Sequence, residues 1–204
     1  MIEFSYFGYF YDNKPKRSSC GGWEEFVENM RAISDVVGFK PPAGDYESES
    51  SGLISPAIYK EDGVSRSNEN VVGWDIVCMD IDDGITDIKF VLDHFKMYSY
   101  IIYSSPNCTK DKLKLRVVIP LNKRADRKML KQIWFGLNEW CGGIIDKQTK
   151  DYSRLFFVPA RYTNRGDEYT HFFLTNKGIS LDWEALMDRF PSPPEKDLYK
   201  IKDP

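Results

Sequence analysis

Between residues 74 and 159, apolar runs of strand length alternate with stretches of helical spacing. "WDIVCMDID" reads as a strand, "TDIKFVLDHF" as a helix, "YSYIIYS" and "LKLRVVIPL" as strands, "RKMLKQIWFGLNEW" as a helix and "SRLFFVP" as a strand. Upstream, "IEFSYFGYFY" at 2–11 alternates and predicts a strand, and the apolar spacing of Trp23, Phe26, Val27, Met30, Ile33 and Val37 predicts a helix over 23–37. Pro, Gly and Ser make 40–52 a loop. "THFFLT" and "SLDWEALMDRF" add a strand and a helix, and "PSPPEKDLYKIKDP" at 191–204 reads as a linker, with the expectation that the chain was joined to a longer protein.

The order β-α-β-β-α-β is that of the ferredoxin-like split βαβ unit. The expected fold is therefore α+β: one domain over 1–190, with an N-terminal αβ portion (1–70), an RRM-like palm (71–165) and a C-terminal strand and helix (166–190). Right-handed crossovers keep strands joined by a helix parallel, and the hairpin reverses the chain. Three places then share one edge of the sheet: the end of strand one, the hairpin between strands two and three, and the start of strand four. They hold Asp80 and Asp82, then "SSPNCTKDK", then "IIDKQTKDYSR".

With 204 residues and 42% hydrophobic content, the chain is large enough to bury a core. A net charge of -3 argues against coating nucleic acid through bulk charge. The charges are segregated, however: acids gather at 80–83, while "CTKDKLKLR" and "NKRADRKMLK" carry many of the bases. That layout suits an anionic ligand beside a metal-binding carboxylate cluster. No apolar run approaches the roughly 20 residues that span a bilayer, and "MIEFSYFGYF" lacks a signal-peptide pattern; a cytoplasmic protein is expected. Cys20, Cys78, Cys108 and Cys141 have no zinc-ligand spacing and are expected to be reduced, packed thiols.

Alternation puts Asp80 and Asp82 on one face of strand one. Adjacent carboxylates repel unless a cation neutralises them, which favours a divalent metal. Asp82, Asp83 and Gly84 are equally open to reading as a turn, with Thr86 capping the next helix; that reading does not explain Asp80. On the hairpin, Ser104, Ser105, Asn107, Thr109, Lys110, Lys112, Lys114 and Arg116 supply the hydroxyl, amide and cationic donors that a triphosphate needs, or form a solvated basic hairpin. Arg116 interrupts an apolar strand, and a buried arginine requires an anionic partner. Asp146, at the mouth of strand four, is placed to complete a three-carboxylate cluster. Arg154 is open to two readings, phosphate binding or a pair with Asp151. Arg66, Lys110 and Lys112 are candidates for template contact, Arg66 with a surface loop as its alternative. His94 and His171 are expected to be structural, and the N-terminal Tyr and Phe residues to be core, with one or two available to stack bases if they face a groove.

Together these elements resemble the archaeo-eukaryotic primase superfamily, in particular the primase-polymerase domains of phage and plasmid replication proteins. "MDID" is similar to that family's Asp-x-Asp motif, "IIDKQTKDYSRLFFVPAR" to its third motif, and "KLRVVIPL" to the strand after the second. The resemblance spans about residues 54–165. It implies a nucleotidyltransferase that makes primers on single-stranded DNA from nucleoside triphosphates. Asp80, Asp82 and Asp146 would hold two Mg2+ or Mn2+ ions, and Ser104, Ser105, Asn107, Cys108, Lys114, Arg116 and Arg154 would bind nucleotide. A replicative helicase, fused or separate, is an implied partner. The family's second motif carries a phosphate-contacting histidine where this chain has Cys108. Either Asn107, Ser105 and the nearby lysines take its place, or nucleotide binding is weakened. The rival readings are a non-catalytic single-stranded nucleic-acid-binding module and a metal-dependent nuclease.

Overall fold

The computed structural model describes residues 1–42, 45, 50–61, 64–82 and 87–191. Its strands and helices run β1 (Ile2–Phe7), β2 (Lys16–Cys20), α1 (Trp23–Ser34), β3 (Leu53–Ser55), β4 (Ala57–Tyr59), β5 (Val71–Ile81), α2 (Ile88–Phe95), β6 (Tyr100–Ser104), β7 (Leu115–Asp126), α3 (Leu130–Trp140), β8 (Phe156–Phe157), β9 (Phe173–Asn176) and α4 (Trp183–Arg189). They build an α+β fold with two sheets, ordered β2-β1-β3-β8 and β4-β5-β7-β6-β9. Every strand pair within them is antiparallel.

β5 and β6 both run antiparallel to β7, so they are parallel to each other and α2 is the crossover between them, as the apolar pattern predicts. β5 is buried along nearly its whole length, which explains its unbroken apolar run. The fourth strand departs from expectation. Residues 154–159 yield only the two-residue β8, and it pairs with β3 in the other sheet. β4 already pairs with residues 71–74 of β5, on the edge that a closing strand would take. The N-terminal and palm-like regions thus exchange strands.

Local chemistry sets the element ends. The Asp87 carboxylate caps α2 by accepting from the Lys89 amide at 2.8 Å, a role that the sequence reading offered to Thr86, which, like Asp83, lies outside the described residues. Asp182 caps α4 through the Glu184 and Ala185 amides. α1 stops short of the expected Val37, because the Gly38 amide donates to the Arg161 carbonyl (2.8 Å) and Val37 bridges to Arg161. After α3, Gly142 and Gly143 adopt φ of 71° and 82°, and the Gly143 amide donates back to the Asn138 carbonyl at 2.8 Å. This reversal sends the chain toward Asp146. The C-terminal pattern predicts a strand and a helix, and both form: β9 joins the sheet beside β6, and α4 packs on α3. Residues 192–204 of the expected linker lie outside the described residues, among which no helix is long and apolar enough to cross a membrane.

Candidate active site

The antiparallel register of β5 and β7 places Asp80 directly opposite Arg116. Two positions on, past the strand ends, Asp82 faces Lys114. The period-two alternation that aligns the carboxylates on one face therefore aligns two cations against them. Arg116 Nε donates to Asp80 Oδ1 at 2.7 Å and its Nη1 donates to the Phe157 carbonyl at 2.8 Å. Lys114 Nζ donates to Asp82 Oδ2 at 2.9 Å. Asp80 and Arg116 are both buried, whereas the Asp82 side chain is a third exposed. Burial pushes the Asp80 carboxyl above the usual carboxylate range, against the pull of Arg116.

Asp146 reaches the end of β5 from the far side of the sequence. Its amide donates to the Asp80 carbonyl at 2.9 Å, and its carboxylate accepts from the Gln148 amide at 2.9 Å, capping a 3-10 turn over Lys147–Lys150. Asp80, Asp82 and Asp146 line one cleft of about 600 Å³.

The opposite wall is cationic. Ser105, Pro106, Asn107 and Cys108 form a β-turn closed by the Cys108 amide donating to the Ser105 carbonyl at 3.0 Å, with proline at the favoured second position. The turn directs Asn107 into the cleft, where its Oδ1 accepts from Lys40 Nζ and Arg165 Nη2, both at 3.0 Å. Burial and then the charges of Arg165, Arg116 and Lys114 hold the Lys40 ammonium below the usual lysine value. Arg154 lines the same cleft. Its Nε is buried with no hydrogen-bond partner among the described residues. The Asp151 carboxylate instead accepts from the Ser153 amide and hydroxyl, so the Asp151–Arg154 side-chain pair is not formed. Among the described residues Lys40, Arg154 and Arg165 form no ion pair, and with the three carboxylates they make a dipolar cleft suited to a polyanion.

Residues 57–197 match the VapE N-terminal domain. The chain belongs to the VapE N-terminal domain family. Its fold is similar to that of the AEP domain of the cyanophage S-2L primase-polymerase (PrimPol), with a TM-score of 0.53 and 12% identity over 93% of this chain and 89% of that one. No curated protein sequence matches. The resemblance to primase-polymerases read from the motifs thus holds at the level of fold.

Within this VapE N-terminal domain, the cleft brings together Asp80, Asp82, Ser105, Asn107, Arg116, Asp146 and Arg154 from the expected set. Lys114 stands behind Asp82. Ser104 is buried, its hydroxyl accepting from the Phe172 amide at 3.2 Å. Cys108 is fully buried and outside the cleft lining, so its thiol cannot replace a phosphate-binding imidazole there. Lys110 and Lys112 are exposed on the hairpin tip, and Arg66 lies beside the β1–β2 turn, its amide donating to the Asn13 carbonyl at 2.9 Å. Lys40 and Arg165 also line the cleft and escaped the motif reading, while Tyr9, Phe10 and Tyr11 line it exposed, not in the core where most of the N-terminal aromatic residues were expected. Lys40 and Arg165 sit in loops joined only by tertiary contacts, such as Asn164 Nδ2 donating to the Lys40 carbonyl at 2.8 Å.

The carboxylates suit a hard divalent ion in kind. Each has one oxygen engaged by a protein donor and no partner for the other among the described residues. They are not gathered, however: among the described residues no group of three His, Cys, Asp or Glu side chains is close enough to hold a metal.

Proposed function

We propose that this domain is a template-dependent nucleotidyltransferase, a DNA primase or primase-polymerase serving phage or plasmid replication. The observation that carries the reading is the meeting of Asp146 with the end of β5, which sets three carboxylates against a cationic wall in one cleft. The primase-polymerase fold likeness supports it.

In this reading Asp80, Asp82 and Asp146 would hold two Mg2+ or Mn2+ ions, which when bound neutralise phosphate charge and make a hydroxyl a better nucleophile. The protein's own groups do the rest. Lys40, Arg154 and Arg165 bind the triphosphate oxygens, with the buried Arg154 Nε a donor already stripped of water. Asn107 positions Lys40 and Arg165, and the Ser105 hydroxyl adds a neutral donor. Arg116 orients Asp80 by holding one of its oxygens. Lys114 offsets the charge of Asp82 and would turn to phosphate when nucleotide binds. The partners would be single-stranded DNA, nucleoside triphosphates and a replicative helicase, and the place the host-cell cytoplasm. RRM-like describes the β5-β7-β6 portion of the sheet under this proposal.

One observation favours a second reading, a non-catalytic single-stranded nucleic-acid-binding module: Asp80 and Asp82 are each spent on an internal cation. The test is primer synthesis on single-stranded DNA with Mn2+ and nucleoside triphosphates. Asp82→Asn and Asp146→Asn should each reduce it by about 100-fold or more. These are better probes than Asp80→Ala, which strands Arg116. No synthesis by the wild type, together with no calorimetric binding of Mn2+ or nucleotide, would establish the second reading. Labelled strands that shorten would identify a nuclease instead.

A further inference from the structure

We propose that Tyr9, Phe10 and Tyr11 form a stacking shelf on which successive bases of a single-stranded nucleic acid lie as it enters the cleft. These three consecutive aromatic residues are 50%, 43% and 46% exposed and line the cleft that holds Asp80, Asp82, Asp146, Lys40, Arg154 and Arg165. Exposed apolar area of that kind persists at a cost unless a ligand covers it.

The turn that presents them is held from several sides. The Asp12 carboxylate accepts from the Gly8 and Lys14 amides at 3.1 and 2.9 Å, the Asp12 amide donates to the Tyr9 carbonyl at 3.0 Å, and the Phe10 amide donates to the Ser50 hydroxyl at 3.1 Å. Phe10 lies parallel to Phe157, with ring centroids 5.9 Å apart and planes 6° apart, and meets Tyr11 edge-on at 4.9 Å. Phe157 in turn meets the buried Tyr162 edge-on at 6.0 Å. The shelf is thus the outer end of an aromatic ladder anchored in the core, which limits the rotamer freedom it loses on binding.

Charge identifies the occupant. Lys40 Nζ lies 5.9 Å from the Phe157 ring centroid, Arg165 and Arg154 line the same cleft, and Arg66 is tied to the turn through Asn13. A cleft lined by both aromatic rings and cations offers stacking faces for bases and partners for phosphates. A single mononucleotide base would need one ring, not three in succession. The inference deepens the proposed function by naming where the template strand runs.

The test is fluorescence anisotropy of labelled oligo(dT) with the full chain in EDTA, which reads binding without catalysis. Phe10→Ala should weaken binding about tenfold, and Tyr9→Ser/Phe10→Ser/Tyr11→Ser should weaken it further, with melting curves checking that each variant is folded. Phe10→Trp should keep the affinity, and its fluorescence should be quenched by oligo(dT). Unchanged affinity in the triple variant, or no binding of oligo(dT) by the wild type, would overturn the shelf. A variant that loses nucleoside triphosphate affinity while keeping that for oligo(dT) would overturn the strand as occupant. If the wild type makes no primers but the triple variant still loses oligo(dT), the primase reading fails and the shelf stands. If primers are made and the triple variant binds oligo(dT) as tightly, the shelf fails alone.

Discussion

The same two strands carry an aspartate-arginine pair at each end, and the two pairs are built for different purposes. Toward one end of the β5–β7 ladder, Arg124 grips both oxygens of Asp75, Nε to Oδ1 at 2.8 Å and Nη2 to Oδ2 at 2.7 Å, and also donates to Glu3 at 2.6 Å. The Glu3 amide takes Asp75 Oδ2 as well, at 2.9 Å. Both carboxylate oxygens are consumed, Arg124 is 40% exposed, and the pair lies outside the lining of the candidate cleft. This is a clasp between the two sheets. At the other end Arg116 is buried and takes only one oxygen of Asp80, and the pair lines the cleft. A carboxylate with an uncommitted oxygen, held rigidly by a buried cation, is costly as a structural device and useful as a ligand. Identical residue types in the same ladder are therefore told apart by how completely they are satisfied.

The largest effect expected from breaking this comparison is on stability. Asp80→Ala leaves Arg116 buried and uncompensated and should cost about 3–5 kcal/mol. Asp75→Ala should cost about 1–3 kcal/mol, because Arg124 keeps Glu3 and water. Urea unfolding of the two variants checks the difference, and equal losses would erase the distinction. A smaller effect is expected at Cys108. Cys108→Ala should cost about 1 kcal/mol through lost packing and leave nucleotide affinity in calorimetry unchanged, whereas Cys108→His should overpack the site by about 1–3 kcal/mol without adding a phosphate contact. The smallest effect is on rate. Burial raises the thiol pKa at all four cysteines, Cys141 to about 12, so the thiolate fraction at pH 8 is below that of a free thiol. Reaction with a chromogenic disulfide reagent at pH 8 should be slow in the native protein and complete in urea; rapid native labelling of Cys108 would show that the hairpin opens.

Much of the carboxylate side of the cleft was legible in the sequence, because strand alternation is local. It aligned Asp80 with Asp82, and the solitary Arg116 in an apolar strand announced an anionic partner without saying which one. The stretch around Asp146 was recognisable by its place after a helix and before an apolar run. The cationic wall was less legible. Lys40 and Arg165 belong to loops with no periodicity, and their meeting at Asn107 spans 67 and 58 positions of sequence. Tyr9, Phe10 and Tyr11 continued an alternating aromatic run that reads as strand to Tyr11, but Asp12 and Ser50 turn the chain after Phe7 and leave the three rings outside.

The sequence by itself determined the order of elements through the crossover of α2, the face shared by Asp80 and Asp82, the aspartate caps that begin α2 and α4 and the glycine reversal after α3, all of which depend on contacts within a few residues. Tertiary structure decided which strand closes each sheet, which carboxylate Arg116 holds and whether Cys108 faces the cleft or the core. Those outcomes depend on competition among distant segments for the same backbone edge and the same buried volume: β4 pairs with β5 and β8 with β3, and the turn at Ser105–Cys108 has room for Asn107 outward only because the thiol goes in.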